Sequence, residues 1–103
     1  MASSKDFVEY VCGQIAEMGV VECRKMFGEY CVYLNGKAAL LVCDNTVFIK
    51  QLPSIAYLVA EAETGHPYPG AKPHYILDPD DRYSLMKILT AAEPDLTYPK
   101  KRK

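Results

Sequence analysis

The chain has 103 residues and a mass of 11.5 kDa, which is room for one folded domain, since a second core needs about another 100 residues. Half of the residues are hydrophobic, 24% are charged and the formal net charge is -1, a balance that excludes disordered, collagen-like and strongly basic nucleic-acid-coating chains. The longest purely apolar run, residues 38–43, is far short of the roughly 18 residues that span a bilayer, and the polar start has no signal-peptide core behind it. The expectation is therefore a soluble cytoplasmic protein with no membrane partner.

The first segment places Phe7, Val8, Val11, Cys12, Ile15, Ala16 and Met18 on one helical stripe. Ser3 or Ser4 can cap its start, Asp6 and Glu9 suit the positive end of the dipole, and Gly19 suits its termination. From residue 20 to 51 the pattern changes to four β-rich runs, residues 21–27, 29–34, 37–43 and 46–49. Asn35-Gly36 between two of them is a strong type I′ hairpin signal, Asp44-Asn45 reads as a second tight turn, and Gly28 marks the bend between the first two runs. Together they predict an antiparallel meander.

If Leu34 pairs with Lys37 and Cys43 with Thr46, regular alternation collects Cys31, Tyr33, Ala38, Leu40, Val42, Val47 and Ile49 on one face. Tyr30, Val32, Leu34, Ala39, Leu41, Cys43 and Phe48 fall on the other. Both faces are then apolar, whereas a half-solvated antiparallel sheet shows polar residues at alternate positions. Helices can cover one face, and a second copy of the chain is expected to cover the other, because extended apolar surface marks an interface.

Residues 53–63 resume helical spacing through Ile55, Ala56, Leu58, Val59 and Ala62, with Pro53 in the first turn. Residues 64–73 read as a loop rich in proline and glycine, and residues 74–77 as a short strand. Asp78-Pro79-Asp80-Asp81 then predicts an N-cap, a proline at N1 and acids behind it. The helix it starts carries Tyr83, Leu85, Met86, Ile88, Leu89 and Ala92 and ends at Glu93-Pro94. The order is α-β-β-β-β-α-β-α, an α+β fold with three helices occupying residues 1–95. Residues 96–103 are expected to be a disordered basic tail ending in Lys100, Lys101, Arg102 and Lys103. Near-neutrality is thus a cancellation: residues 1–99 hold eight positive and thirteen negative charges, a net of -5.

Candidate chemistry is sparse. Cys12, Cys23, Cys31 and Cys43 form no CxxC pair and no zinc-ligand spacing. In the register above Cys31 and Cys43 face opposite ways, so buried free thiols are the expectation. Cys31 is the one to test for reactivity, since Arg24 and Lys25 would lower its pKa if they turned toward it. His66 and His74 lack a helical partner for a metal, and Asp78, Asp80 and Asp81 read as helix-capping acids. No catalytic residue, cofactor or metal is assigned. Arg24 and Lys25, adjacent on a strand, face opposite ways and cannot both enter one pocket. With Lys50 and Lys72 they offer a modest phosphate-binding surface, and Lys100 to Lys103 offer further phosphate contacts, although a body at -5 lacks the field of an autonomous duplex binder.

The stretch Arg24-Lys25-Met26-Phe27-Gly28-Glu29-Tyr30-Cys31-Val32-Tyr33-Leu34-Asn35-Gly36, followed by Ala39 to Lys50, resembles the N-terminal domain of the TfoX/Sxy family of bacterial competence regulators. Looser likeness continues through Tyr75, Leu77, Pro79 and Asp80, so it covers roughly residues 3 to 92. The resemblance implies an α+β fold with a curved antiparallel sheet, similar to secretion-chaperone-like domains. Full-length members add a C-terminal helical domain, for which this length leaves no space, and act as positive regulators of DNA-uptake genes. The expected function is a non-enzymatic regulatory or adaptor domain that binds a protein partner, as a homodimer. The expected interaction surface is Arg24, Lys25, Phe27, Gly28, Tyr30, Val32, Leu34, Leu41 and Phe48. The alternatives are a nucleic-acid-binding module using Arg24, Lys25 and Lys100, Lys101, Arg102 and Lys103, or a thiol-based enzyme or sensor using Cys31.

Overall fold

The computed structural model describes residues 4–26 and 29–98, with only the backbone of Met26. The first helix, α1 (Lys5–Gln14), starts where the serine cap was expected: the Ser4 hydroxyl accepts a hydrogen bond from the Phe7 amide at 3.1 Å. Val8, Val11 and Ile15 are fully buried. The helix ends four residues earlier than the apolar stripe, which continues as a single 3₁₀ turn, Ala16–Met18, before Gly19 at φ 151°. That glycine is required twice over: its φ disfavours side chains, and a Cβ there would overlap the Asn35 side-chain amide.

Six strands follow: β1 (Val21–Met26), β2 (Glu29–Leu34), β3 (Lys37–Cys43), β4 (Thr46–Ile49), β5 (Thr64–Gly65) and β6 (His74–Leu77). They form one antiparallel sheet in the order β1-β2-β3-β4-β6-β5. Both tight turns are as the sequence predicts, with positive φ at Asn35 (52°) and Gly36 (86°) and at Asp44 (53°) and Asn45 (54°). Their side chains also tie the fold together. Asn35 Oδ1 accepts from the Val20 amide at 2.9 Å, and Asn45 Oδ1 accepts from the Ser4 amide at 2.9 Å, at the start of α1.

The two predicted strand ends pair as expected, Leu34 with Lys37 and Cys43 with Thr46, but the faces between them do not alternate regularly. Tyr33 pairs with Ala38 while Val32 pairs with Leu40, so Ala39 is an extra residue in β3, a β-bulge. One inserted residue exchanges the faces of half a strand. The side covered by helices therefore carries Val32, Leu34, Leu40, Val42, Val47 and Ile49, all in the core. The other side carries Cys31, Tyr33, Ala38, Leu41, Cys43 and Phe48. Both faces remain apolar, with altered membership, and Cys31 and Cys43 share a face instead of opposing one another.

The middle helix does not form. Pro53–Ile55 is one 3₁₀ turn, followed by turns with i→i+3 bonds from Leu58 to Ile55 (2.8 Å) and from Ala62 to Val59 (3.0 Å). The apolar spacing nevertheless predicted burial correctly: Ile55 and Val59 lie in the core. β-Branched Ile55 and Val59 and aromatic Tyr57 are weak helix formers, so packing, not a helical ladder, holds this segment. Within the expected loop, β5 pairs with β6.

The second helix, α2 (Arg82–Ala92), is capped by Asp81, whose side chain accepts from the Ser84 amide at 3.1 Å. Asp78, the expected cap, instead closes its own turn by accepting from the Asp80 amide at 2.9 Å. Leu85, Ile88, Leu89 and Ala92 are buried, whereas Tyr83 is 78% exposed. The chain then turns at Glu93–Asp95 and packs on past residue 95. Leu96 is buried in the core, the Ala38 amide donates to Thr97 O at 3.0 Å, and the Lys37 amine lies 5.5 Å from the Tyr98 ring centre. Packed structure thus reaches Tyr98. The basic residues 100–103 lie outside the described residues.

Candidate functional site

Among the described residues, strand β1 is paired on one side only, by β2, and forms the long edge of the sheet, the opposite edge being the two-residue β5. Along it Glu22, Cys23, Arg24 and Lys25 are all exposed. Register puts Arg24 opposite Cys31 on the outer face and Lys25 opposite Tyr30 on the helix-covered face, so the two cations diverge as alternation requires. The Arg24 guanidinium lies over the Tyr33 ring, 5.4 Å from its centre, a cation–π contact that holds its charge at the strand edge. Phe27 and Gly28 lie outside the described residues.

The other residues expected to form a surface are not together. Val32 and Leu34 are core residues beneath the helices, and Tyr30 packs half-buried against that core. Leu41 and Phe48 belong to the outer face, where Phe48 is buried and Leu41 half-buried. The bulge at Ala39 separates these two groups, which regular alternation had merged. Val32 and Leu34 cannot contact a partner of the folded chain, and among the described residues the accessible part of the set is Arg24 and Lys25 on the edge, with half-buried Tyr30 on the helix-covered face and half-buried Leu41 on the outer face.

Cys31 lies among groups that the sequence did not connect. The β3–β4 pairing ends at Leu41–Phe48, and beyond it lies an open cavity of about 80 Å³ that Asp95–Thr97 help to line. Cys31, Phe48, Lys50, His74 and Asp95 are among its walls. His74 is buried and its Nδ1 donates to Lys72 O at 2.8 Å, while an Asp95 carboxylate oxygen accepts from the Ser54 amide at 3.2 Å. Burial raises the Cys31 pKa above its ordinary 9.0, and the opposing effects of the Tyr33 hydroxyl, Lys50 and Arg24 are smaller. Lys25 lies on the other face. The thiol is therefore held protonated, unlike the activated nucleophile that a thiol enzyme uses. No spacing rule in the sequence could have found this cavity, because it lies beyond the end of a strand pairing.

The remaining polar groups serve the fold. His66 Nδ1 bonds Ala71 O at 2.7 Å across the loop, and Asp80 accepts from the Tyr10 hydroxyl at 2.6 Å. That bond raises the Tyr10 pKa. Lys37 pairs with Glu93 at 2.6 Å. Among the described residues no three His, Cys, Asp or Glu side chains are grouped to hold a metal ion, and no helix is long and apolar enough to cross a membrane.

Residues 13–90, which run from the end of α1 through the whole sheet and most of α2, match the family described as the TfoX N-terminal domain. A relative from Spirochaeta aurantia, described as an uncharacterized 12.7 kDa protein in the trpE 5' region, is 30% identical over 105 residues, covering 100% of this chain and 91% of the relative. The chain belongs to the TfoX N-terminal domain family.

Proposed function

We propose that this chain is a non-enzymatic regulatory or adaptor domain that works by binding protein, in transcriptional regulation of the kind the family's competence regulators perform. The observation that carries the reading is the open edge of β1. A six-residue strand with its outer row of backbone donors and acceptors unshared in the sheet is a template for an added strand. Glu22, Arg24 and Lys25 along it keep that edge from indiscriminate pairing and give a partner charges to read.

A second copy of the chain is one partner that fits, since two β1 edges can pair antiparallel about a twofold axis. Light scattering on the eluting protein tests it: a species of twice 11.5 kDa supports self-pairing, and a monomer at high micromolar concentration rejects it. For a different partner, affinity capture from the host is run with the wild-type chain and with an Arg24→Glu/Lys25→Glu variant. A protein retained at stoichiometric level by the wild type and lost by the variant supports the reading. A partner retained equally by both argues against the β1 edge.

A further inference from the structure

The backbone of β1 shows which of its residues can bond a neighbouring strand. The Asn35 amide donates to Val20 O at 2.7 Å, so the Val20 carbonyl points toward β2. Directions alternate along an antiparallel ladder, so Glu22 and Arg24 turn their backbone groups to β2 while Val21, Cys23 and Lys25 turn theirs to the open side. Side chains alternate as well. Glu22 and Arg24, opposite Tyr33 and Cys31, stand exposed on the outer face, and neither has an ion-pair partner among the described residues. Cys23, opposite the core residue Val32, is on the helix-covered face yet exposed, and Cys12 is half-buried, so the expectation of buried thiols fails for these two.

Resting on the reading of β1 as the binding edge, we infer that it is the self-pairing surface of a twofold dimer, in a register centred on Cys23 that sets Glu22 of each chain opposite the partner's Arg24. Residues directly opposite in an antiparallel pair share a face, so two copies related by a twofold axis must centre on a single residue. Centring on Val21 or Lys25 leaves half of the strand unpaired. Centring on Glu22 sets glutamate against glutamate, and centring on Arg24 sets arginine against arginine, both unfavourable. Centring on Cys23 removes the conflict. Each Glu22 then faces the partner's Arg24 as a pair not bonded through the backbone, about 4.5 Å apart at Cα, where side chains approach most closely. The charges alternate in sign around the axis, and the Tyr33 ring holds Arg24 at the edge to meet its partner. Val21, Cys23 and Lys25 each exchange backbone bonds across the axis. One strand pair is a small contact, so the dimer dissociates on dilution.

Sedimentation equilibrium on the full chain tests this. The wild type should reach twice 11.5 kDa at high micromolar concentration. Glu22→Arg and Arg24→Glu each turn two attractive pairs into two repulsive ones and should weaken association roughly tenfold. Both positions are exposed, and matching Tm values will show that the fold is intact. The double variant Glu22→Arg/Arg24→Glu should restore wild-type association, because it exchanges the charges without changing their pairing. Register is read by mild oxidation with diamide. Cys23 should link to its counterpart, since opposite residues bonded through the backbone lie about 5.5 Å apart at Cα, within the disulfide range. Cys23→Ser should dimerise without linking. A dimer indifferent to both single variants, a double variant as weak as either single one, or Arg24→Cys in the Cys23→Ser chain linking as fast as Cys23 would each overturn the register. A monomer would overturn self-pairing altogether, while a host protein captured through Arg24 and Lys25 would still uphold β1 as a binding edge.

Discussion

Asn35 does three things in one position: it adopts φ 52° in the hairpin turn, its side chain accepts from Val20 N–H at 2.9 Å, and its own N–H donates to Val20 O at 2.7 Å. Only the turn was readable from Asn35-Gly36; the side-chain bond joins residues fifteen apart and depends on how α1 feeds the sheet. Asn35→Ala should cost about 1–2 kcal/mol, from the lost bond and the strained φ, measured by urea unfolding. Gly19→Ala should cost as much, because its Cβ displaces the Asn35 amide; an unchanged midpoint in either variant would remove Asn35 from this role. The thiols give a pH prediction. Burial pushes Cys43 up from 9.0 to about 11, with Glu29 and Cys31 adding to it. A folded-state pKa above the unfolded one means that the stability contributed is complete below pH 9 and is lost as pH rises toward 11. Cys43→Ala should therefore show a shallower decline of unfolding midpoint between pH 9 and 11 than wild type, whereas parallel profiles would contradict this.

At the level of elements, what was legible followed from local chemistry. Turn residues with positive φ, a serine cap and apolar stripes located α1, the meander and α2 to within a few residues. Three features depended on tertiary contacts. The bulge at Ala39 lacks the glycine that often marks one, and it was enough to divide the expected interaction surface between core and outer face. Residues 53–63 carry helical spacing, yet their burial is achieved with 3₁₀ turns. Asp78 was the expected cap of α2, but it closes its own turn and Asp81 caps the helix instead. Asp81→Ala should accordingly cost about 1 kcal/mol through loss of the Ser84 amide bond, and Asp78→Ala less, in the same unfolding measurement. Equal effects, or a larger one at Asp78, would restore the earlier cap.

On the scale of the whole molecule, the sheet is held from one side by α1 and α2 and closed at its far end by residues 95–97, so the folded unit includes Leu96 and the Ala38–Thr97 bridge. Leu96→Ala should cost about 2–3 kcal/mol, as for other buried leucines, and a chain ending at residue 95 should lose at least as much. A truncated chain as stable as the full one would move the end of the fold back to residue 95. With that end closed and β5 only two residues long, β1 is the extended edge left for another chain to use, and binding there is the central claim. Amide hydrogen exchange tests it most directly, comparing the free chain with the complex formed by the captured partner or, if light scattering shows a dimer, by a second copy. Exchange should slow across Val21–Met26 on binding, since each outward amide gains an interstrand hydrogen bond. Unchanged exchange in β1, with protection appearing on α2 or at the outer face instead, would contradict the account.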